Sequence, residues 1–192
     1  MNLPNKLTLL RILLIPVFIV FASLREWRYA YIVAMAVFAV ASFTDFLDGY
    51  IARKYNLVTD FGKFADPLAD KILTTTAFIY MLVDGVCHPI VLVVIVVREF
   101  AVSGVRMVAA GSGEGKVIAA NMWGKVKTVL QMVTIIVYYL LAGLQQLLAG
   151  TVSFGTVPQL TTQILCWAVA VATAVSGVQY IYGNRHFINT AK

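Results

Sequence analysis

Five of the nine acidic residues in this 192-residue chain, Asp45, Asp48, Asp60, Asp66 and Asp70, fall within residues 45–71. On a helix, Asp45 and Asp48 are i, i+3 neighbours and point the same way. Gly49 beside them would let a ligand or another backbone approach closely. Further on, Gly62, Asp66 and Asp70 are spaced four apart, and Thr74 continues that face. Two helices joined around Tyr55–Asp60 can therefore aim two carboxylate pairs at one another. Four convergent carboxylates with no His or Cys among them are hard oxygen donors, suited to Mg²⁺, Mn²⁺ or Ca²⁺ and not to zinc. Two divalent ions would balance four aspartates, and a pair of metals ~3.5–4 Å apart is a common clamp for displacement at phosphorus. The competing reading pairs the aspartates with Arg53, Lys54, Lys63 or Lys71. It is the weaker one, because buried ion pairs add little net stability.

The surroundings make these carboxylates costly. The chain is 60% hydrophobic and only 12% charged, with a mean hydropathy of +0.85, well outside the composition of soluble domains. Ionisable groups beside hydrocarbon mark a functional site by default. The net charge of +6 does not point to nucleic acid, because the bases are spread between apolar runs as membrane loop charges are. The pattern predicts an all-α integral membrane bundle, a single domain over residues 1–192 with six transmembrane helices. A short amphipathic interfacial helix precedes the first span, with Pro4 at its first helical position and Asn5, Thr8 and Arg11 sharing a face. That N-terminal stretch reads as a retained helix and not as a cleaved signal, since no small-x-small site follows it.

The spans are expected near 12–24, 29–43, 72–83, 89–108, 122–148 and 160–182. A spanning helix needs ~20 apolar residues. The second, third and fourth runs are too short unless the polar residues at one end also lie within the helix, and those ends all fall on one side. Of the 15 Lys and Arg residues, twelve then lie on the inner side, Arg25 and Arg28 on the outer side, and Arg98 within a span. This bias predicts both termini and a polar cavity on the cytosolic face of the cell membrane. Asp84-Gly85 and Pro89 mark a tight turn, and Pro67 either kinks its helix or marks its start. Cys87 and Cys166 read as a loop thiol and a buried apolar residue, not as a disulfide or metal site.

The spacing Asp45-x2-Asp48-Gly49-x2-Ala52-Arg53-x8-Gly62-x3-Asp66-x3-Asp70 resembles, without a departure, the signature of the CDP-alcohol phosphotransferases. The resemblance extends over the six-helix layout. It implies a membrane enzyme that moves the phosphoalcohol part of a CDP-linked donor to an acceptor hydroxyl and releases CMP. By position, it implies that Asp45, Asp48, Asp66 and Asp70 hold two metal ions, Mg²⁺ or Mn²⁺, and that Asp70 also deprotonates the acceptor. Gly49, Ala52 and Arg53 would meet the nucleotide, with Gly62, Asn5 and Thr8 on the donor side.

The remaining cations bear on the acceptor. Arg98 and Arg106 lie eight apart in the fourth span, and Lys125 and Lys127 open the fifth. A basic pocket of this kind suits an acceptor that carries its own phosphate, although ordinary positive-inside charge and snorkelling would also account for Arg106 and Lys127. The segments around Arg98-Glu99 and Gly124–Thr128, with Pro4-Asn5-Lys6-Leu7-Thr8-x2-Arg11, are similar to the bacterial phosphatidylglycerophosphate synthase branch of the family. That similarity implies CDP-diacylglycerol as donor and sn-glycerol 3-phosphate as acceptor. Alternatives are a sister enzyme using serine, inositol phosphate or phosphatidylglycerol, and a cation transporter with an acidic intramembrane site. The resemblance also implies a homodimer, for which Ala77, Ser103 and Gly104 are candidate contact residues.

Overall fold

The structure is a computed structural model that describes residues 2–55, 60–111, 122–149 and 155–185. Among these residues there are six helices: α1 (Leu3–Ser23), α2 (Ala30–Lys54), α3 (Asp60–Val83), α4 (Pro89–Gly111), α5 (Met122–Leu147) and α6 (Val157–Gly183). Among the described residues there is no strand. Helices α1, α2, α5 and α6 are long and apolar enough to cross a bilayer. This is a membrane protein. In α3 and α4 the apolar runs are broken by Asp66, Asp70 and Lys71, and by Arg98, Glu99 and Arg106. The interfacial start expected at the N-terminus is not a separate element, because its residues belong to the same unbroken helix as the first span.

Local chemistry explains where the helices stop. Leu24 N–H closes α1 on the carbonyls of Val20 and Phe21. Gly85 turns the chain between α3 and α4 with φ of 75°, a left-handed conformation that costs a side chain-bearing residue energy, and α4 starts at Pro89, which has no N–H to leave unsatisfied. Pro67 lies inside α3, so it does not mark that helix's start; it leaves the carbonyl four residues earlier without its helical donor.

The residues group into two compact units: 1–81 with 135–159, and 82–134 with 160–192. The first is organised around aromatic rings. Phe18 is fully buried and meets Phe38, Tyr80 and Tyr139 at centroid distances of 6.2, 6.4 and 5.4 Å, within the range where edge-to-face contacts add to burial. Ser23 and Tyr80 hydroxyls are 2.7 Å apart, and the Arg28 guanidinium donates to the carbonyl of Leu147 at 2.8 Å. A Cβ at Gly143 would come within 2.5 and 2.6 Å of Ile32 Cδ1 and Cγ1, so α2 and α5 approach closely only because that position is glycine. Gly143→Ala is expected to destabilise the purified protein by about 1–3 kcal/mol, the usual cost of overpacking; an unchanged thermal midpoint in detergent would show that Ile32 yields freely.

The second unit buries Val91, Ile95, Val102, Val169 and Tyr180. Cys87, in the turn before α4, and Cys166, in α6, are both free and buried. They line a cavity of about 370 Å³ with His88 and Trp167, whose rings stack at 5.6 Å. Ala77 is fully buried within the chain, so it cannot serve on a dimer face; Gly104 is exposed.

Candidate active site

In the first unit the acidic residues are held by α1. Thr8 and Arg11 are i, i+3 on that helix, and both are fully buried. Asp45 and Asp48 have the same spacing on α2, so a single guanidinium can span both carboxylates. Arg11 Nη1 lies 2.9 Å from Asp45 Oδ1, and Arg11 Nη2 donates to Asp48 Oδ2. The Thr8 hydroxyl donates to Asp66 Oδ1 on α3 at 2.5 Å. One helix face therefore ties α2 and α3 together by their acids. Asp48 is 2% exposed against 34% for Asp45, so Asp48 depends on Arg11 for its compensation, whereas Asp45 can also reach solvent. The charges of Asp45 and Asp66 both act on Asp48, which places carboxylates of α2 and α3 within electrostatic reach of each other.

Asp70 follows Asp66 by four residues on α3 and is half-buried. The Thr74 hydroxyl donates to the Asp70 carbonyl at 2.9 Å, which leaves that hydroxyl occupied by the backbone. Gly62 is buried, while Gly49 and Asn5 are half-buried. The side chains of Ala52 and Arg53 lie outside the described residues, as do Asp60 and Lys63.

The acids offer carboxylate oxygen alone, a donor set that fits a hard divalent cation and not zinc or copper. Among the described residues no three acidic, His or Cys side chains are drawn together as a coordination shell. Asp45, Asp48 and Asp66 are instead engaged by a guanidinium and a hydroxyl. The sequence places Thr8 on the donor side and Arg11 among the inner-side charges, on the helix face of Asn5 and Thr8, but does not pair either with the acids of α2 and α3. The signal for both was present in their shared face with Asn5.

The second unit holds the basic residues. Arg98 on α4 donates to Ser176 Oγ on α6 at 2.8 Å and lies 3.2 Å from Glu99 Oε1. Lys127 on α5 is 5% exposed and pairs with the same Glu99 oxygen. Two cations therefore share one Glu99 oxygen in a largely buried cluster. Gly177 makes room for Arg98, since a Cβ there would stand 3.1 Å from Arg98 Cγ, whereas one at Gly124 would make an ordinary 3.5 Å contact with Arg98 Nη2. Arg106, eight residues on, donates from Nε to the Tyr180 hydroxyl at 3.2 Å and lies over that ring at 5.6 Å. Lys125 is exposed and takes no part in the Arg98–Glu99–Lys127 cluster. Ser176, Gly177 and Tyr180 are not singled out by the sequence, although Ser176 and Tyr180 stand four apart on α6.

With two acidic pairs on α2 and α3 at the spacing of the signature, the chain is matched over residues 1–175 by the family model of the CDP-alcohol phosphatidyltransferases. The chain belongs to this family. Its curated relatives include the CDP-diacylglycerol–glycerol-3-phosphate 3-phosphatidyltransferase of Bacillus subtilis, 40% identical and aligned over 99% of this chain and 98% of the relative. A Rickettsia felis protein of the same name is 38% identical, with 93% of each chain covered. One from Pseudomonas fluorescens is 37% identical over 71% of each. This CDP-alcohol phosphatidyltransferase thus matches the first two relatives along nearly their whole length, and the family match over residues 1–175 takes in both the acidic residues of α2 and α3 and the basic residues of α4 and α5.

Proposed function

We propose that this family member transfers the phosphatidyl group of CDP-diacylglycerol to sn-glycerol 3-phosphate, giving phosphatidylglycerophosphate and CMP. The observation that carries this reading is near-complete alignment, at 40% identity, with a relative of that name. The Arg98–Glu99–Lys127 cluster supports it independently. Serine brings no phosphate to bind, whereas a largely buried cluster that carries a guanidinium and an ammonium is suited to an acceptor phosphomonoester.

In this reading the acceptor's 1-hydroxyl oxygen attacks the phosphorus that carries diacylglycerol. The bond from that phosphorus to the CMP oxygen breaks, and CMP leaves with the electron pair. Asp70 takes the acceptor proton; a positioned carboxylate of this kind contributes ~10²–10⁴-fold. Asp45, Asp48, Asp66 and Asp70 are the residues that would hold two divalent ions, Mg²⁺ or Mn²⁺, whose chemistry is to neutralise charge developing on the pyrophosphate. Gly49, Ala52, Arg53 and Gly62 contact the cytidine nucleotide, with Asn5 and Thr8 on the donor side. Arg98, Arg106, Lys125 and Lys127 bind the acceptor phosphate. All six helices cross the cell membrane, with α3 and α4 carrying their polar ends within the span, and both termini and the site face the cytosol. The protein works as a homodimer.

The test is CMP release by purified protein in detergent with Mg²⁺, CDP-diacylglycerol and labelled glycerol 3-phosphate. Labelled lipid and CMP in equal amounts are expected. Absence of CMP release with any acceptor would remove the enzyme in favour of an ion-transport role. Release supported only by serine, inositol phosphate or phosphatidylglycerol would move the protein to a sister activity.

A further inference from the structure

We propose that Arg11 is an internal counter-ion that occupies the Asp45–Asp48 carboxylates until divalent metal takes them over, so that it holds the metal-free protein together and lowers its metal affinity. The inference rests on the reading that these aspartates bind metal. Three observations carry it. Arg11 has no exposed surface, and its two terminal nitrogens engage two different carboxylates. Asp48, 2% exposed, has no access to solvent counter-ions. Among the described residues, Arg11 Nε and Nη1 have no hydrogen-bond acceptor; Nη2 alone hydrogen-bonds an acid, Asp48, and Nη1 stands at ion-pair distance from Asp45.

The electrostatics follow from elementary costs. Two carboxylates one helical turn apart repel, and burial of one of them makes the repulsion expensive unless a cation lies between. A guanidinium is well suited to this, because it stays charged at every accessible pH and its planar fork can meet both acids. The same positive charge must raise the free energy of any metal ion arriving at those oxygens. The carboxylates therefore exchange one cation for another instead of opening bare. Binding a metal costs the Arg11 contacts, and losing a metal does not leave naked acids in the membrane.

Arg11→Gln removes the charge and keeps a polar side chain; Arg11→Lys keeps the charge but loses the fork. Two readouts are needed: thermal unfolding of the purified full-length protein in EDTA and in Mn²⁺, and Mn²⁺ affinity from the free-ion electron paramagnetic resonance signal. For Arg11→Gln the expected result is a lower midpoint in EDTA, recovery of most of that loss in Mn²⁺, and Mn²⁺ binding tighter by ~10-fold. Arg11→Lys should fall between the two. If Arg11→Gln can be purified only with Mn²⁺ present, that outcome supports the exchange. If it cannot be purified in either condition, Arg11→Lys decides by whether its Mn²⁺ binding tightens. Unchanged or weaker Mn²⁺ binding in the variant that folds would overturn the inference and make Arg11 a fixed support of the acids. Failure of the wild-type protein itself to bind Mn²⁺ would instead remove the metal reading, and the inference with it.

Discussion

Asp70→Asn is expected to lower turnover by at least ~10²-fold while leaving CDP-diacylglycerol bound. The amide is nearly the same size as the acid, so packing on α3 is preserved, and the Thr74 hydroxyl still finds the backbone carbonyl it uses now. What is lost is the capacity to accept a proton from the acceptor hydroxyl. Loss of one of four carboxylates also weakens metal binding, and that contribution has a different signature. A metal defect is relieved by raising Mn²⁺, whereas a missing base is not. The measurement is kcat at saturating substrates across a Mn²⁺ titration, with donor binding followed separately. Because the base acts only in the transition state, kcat and kcat/KM should fall together. More than ~10% residual turnover at saturating metal would exclude Asp70 as the base.

The acidic half of this site was legible from spacing alone, because its requirement is periodic. Asp45 with Asp48, and Asp66 with Asp70, must each share a helix face, and helical spacing announces that without knowledge of neighbours. What holds those acids was not legible. Arg11 satisfies a positive-inside count equally well as an inner-side charge or as a buried partner, and only packing of α1 against α2 separates the two. Lys125 and Lys127 pose the same difficulty. Two residues apart on a helix they point about 200° away from each other, so one becomes exposed and the other 5% exposed, yet both read as cytosolic lysines. The interfacial N-terminal element failed as a separate unit because the polar face of Asn5, Thr8 and Arg11 is satisfied by acids on other helices, and the chain has no reason to break before entering the apolar run.

That difference between the lysines sets the second large effect. Arg98→Gln is expected to raise the KM for glycerol 3-phosphate by ~10- to 100-fold, the range of one lost charge-assisted hydrogen bond, with the KM for CDP-diacylglycerol changed far less. Arg98 is 10% exposed, so its interaction with an anion is weakly screened, and the room that Gly177 leaves for its stem also admits the shorter glutamine. Glu99 keeps Lys127 as a partner in the variant, so the substitution does not strand a buried acid and the protein should still fold. Lys125→Ala should move the same constant in the same direction but by only ~3-fold, since an exposed cation is screened by solvent and salt. Arg98→Lys discriminates further. If positive charge alone recruits the acceptor, lysine restores most of the affinity; if the planar fork positions the phosphate, it does not. Equal shifts in both Michaelis constants would take Arg98 out of acceptor binding and leave the cluster as a structural tie between α4, α5 and α6.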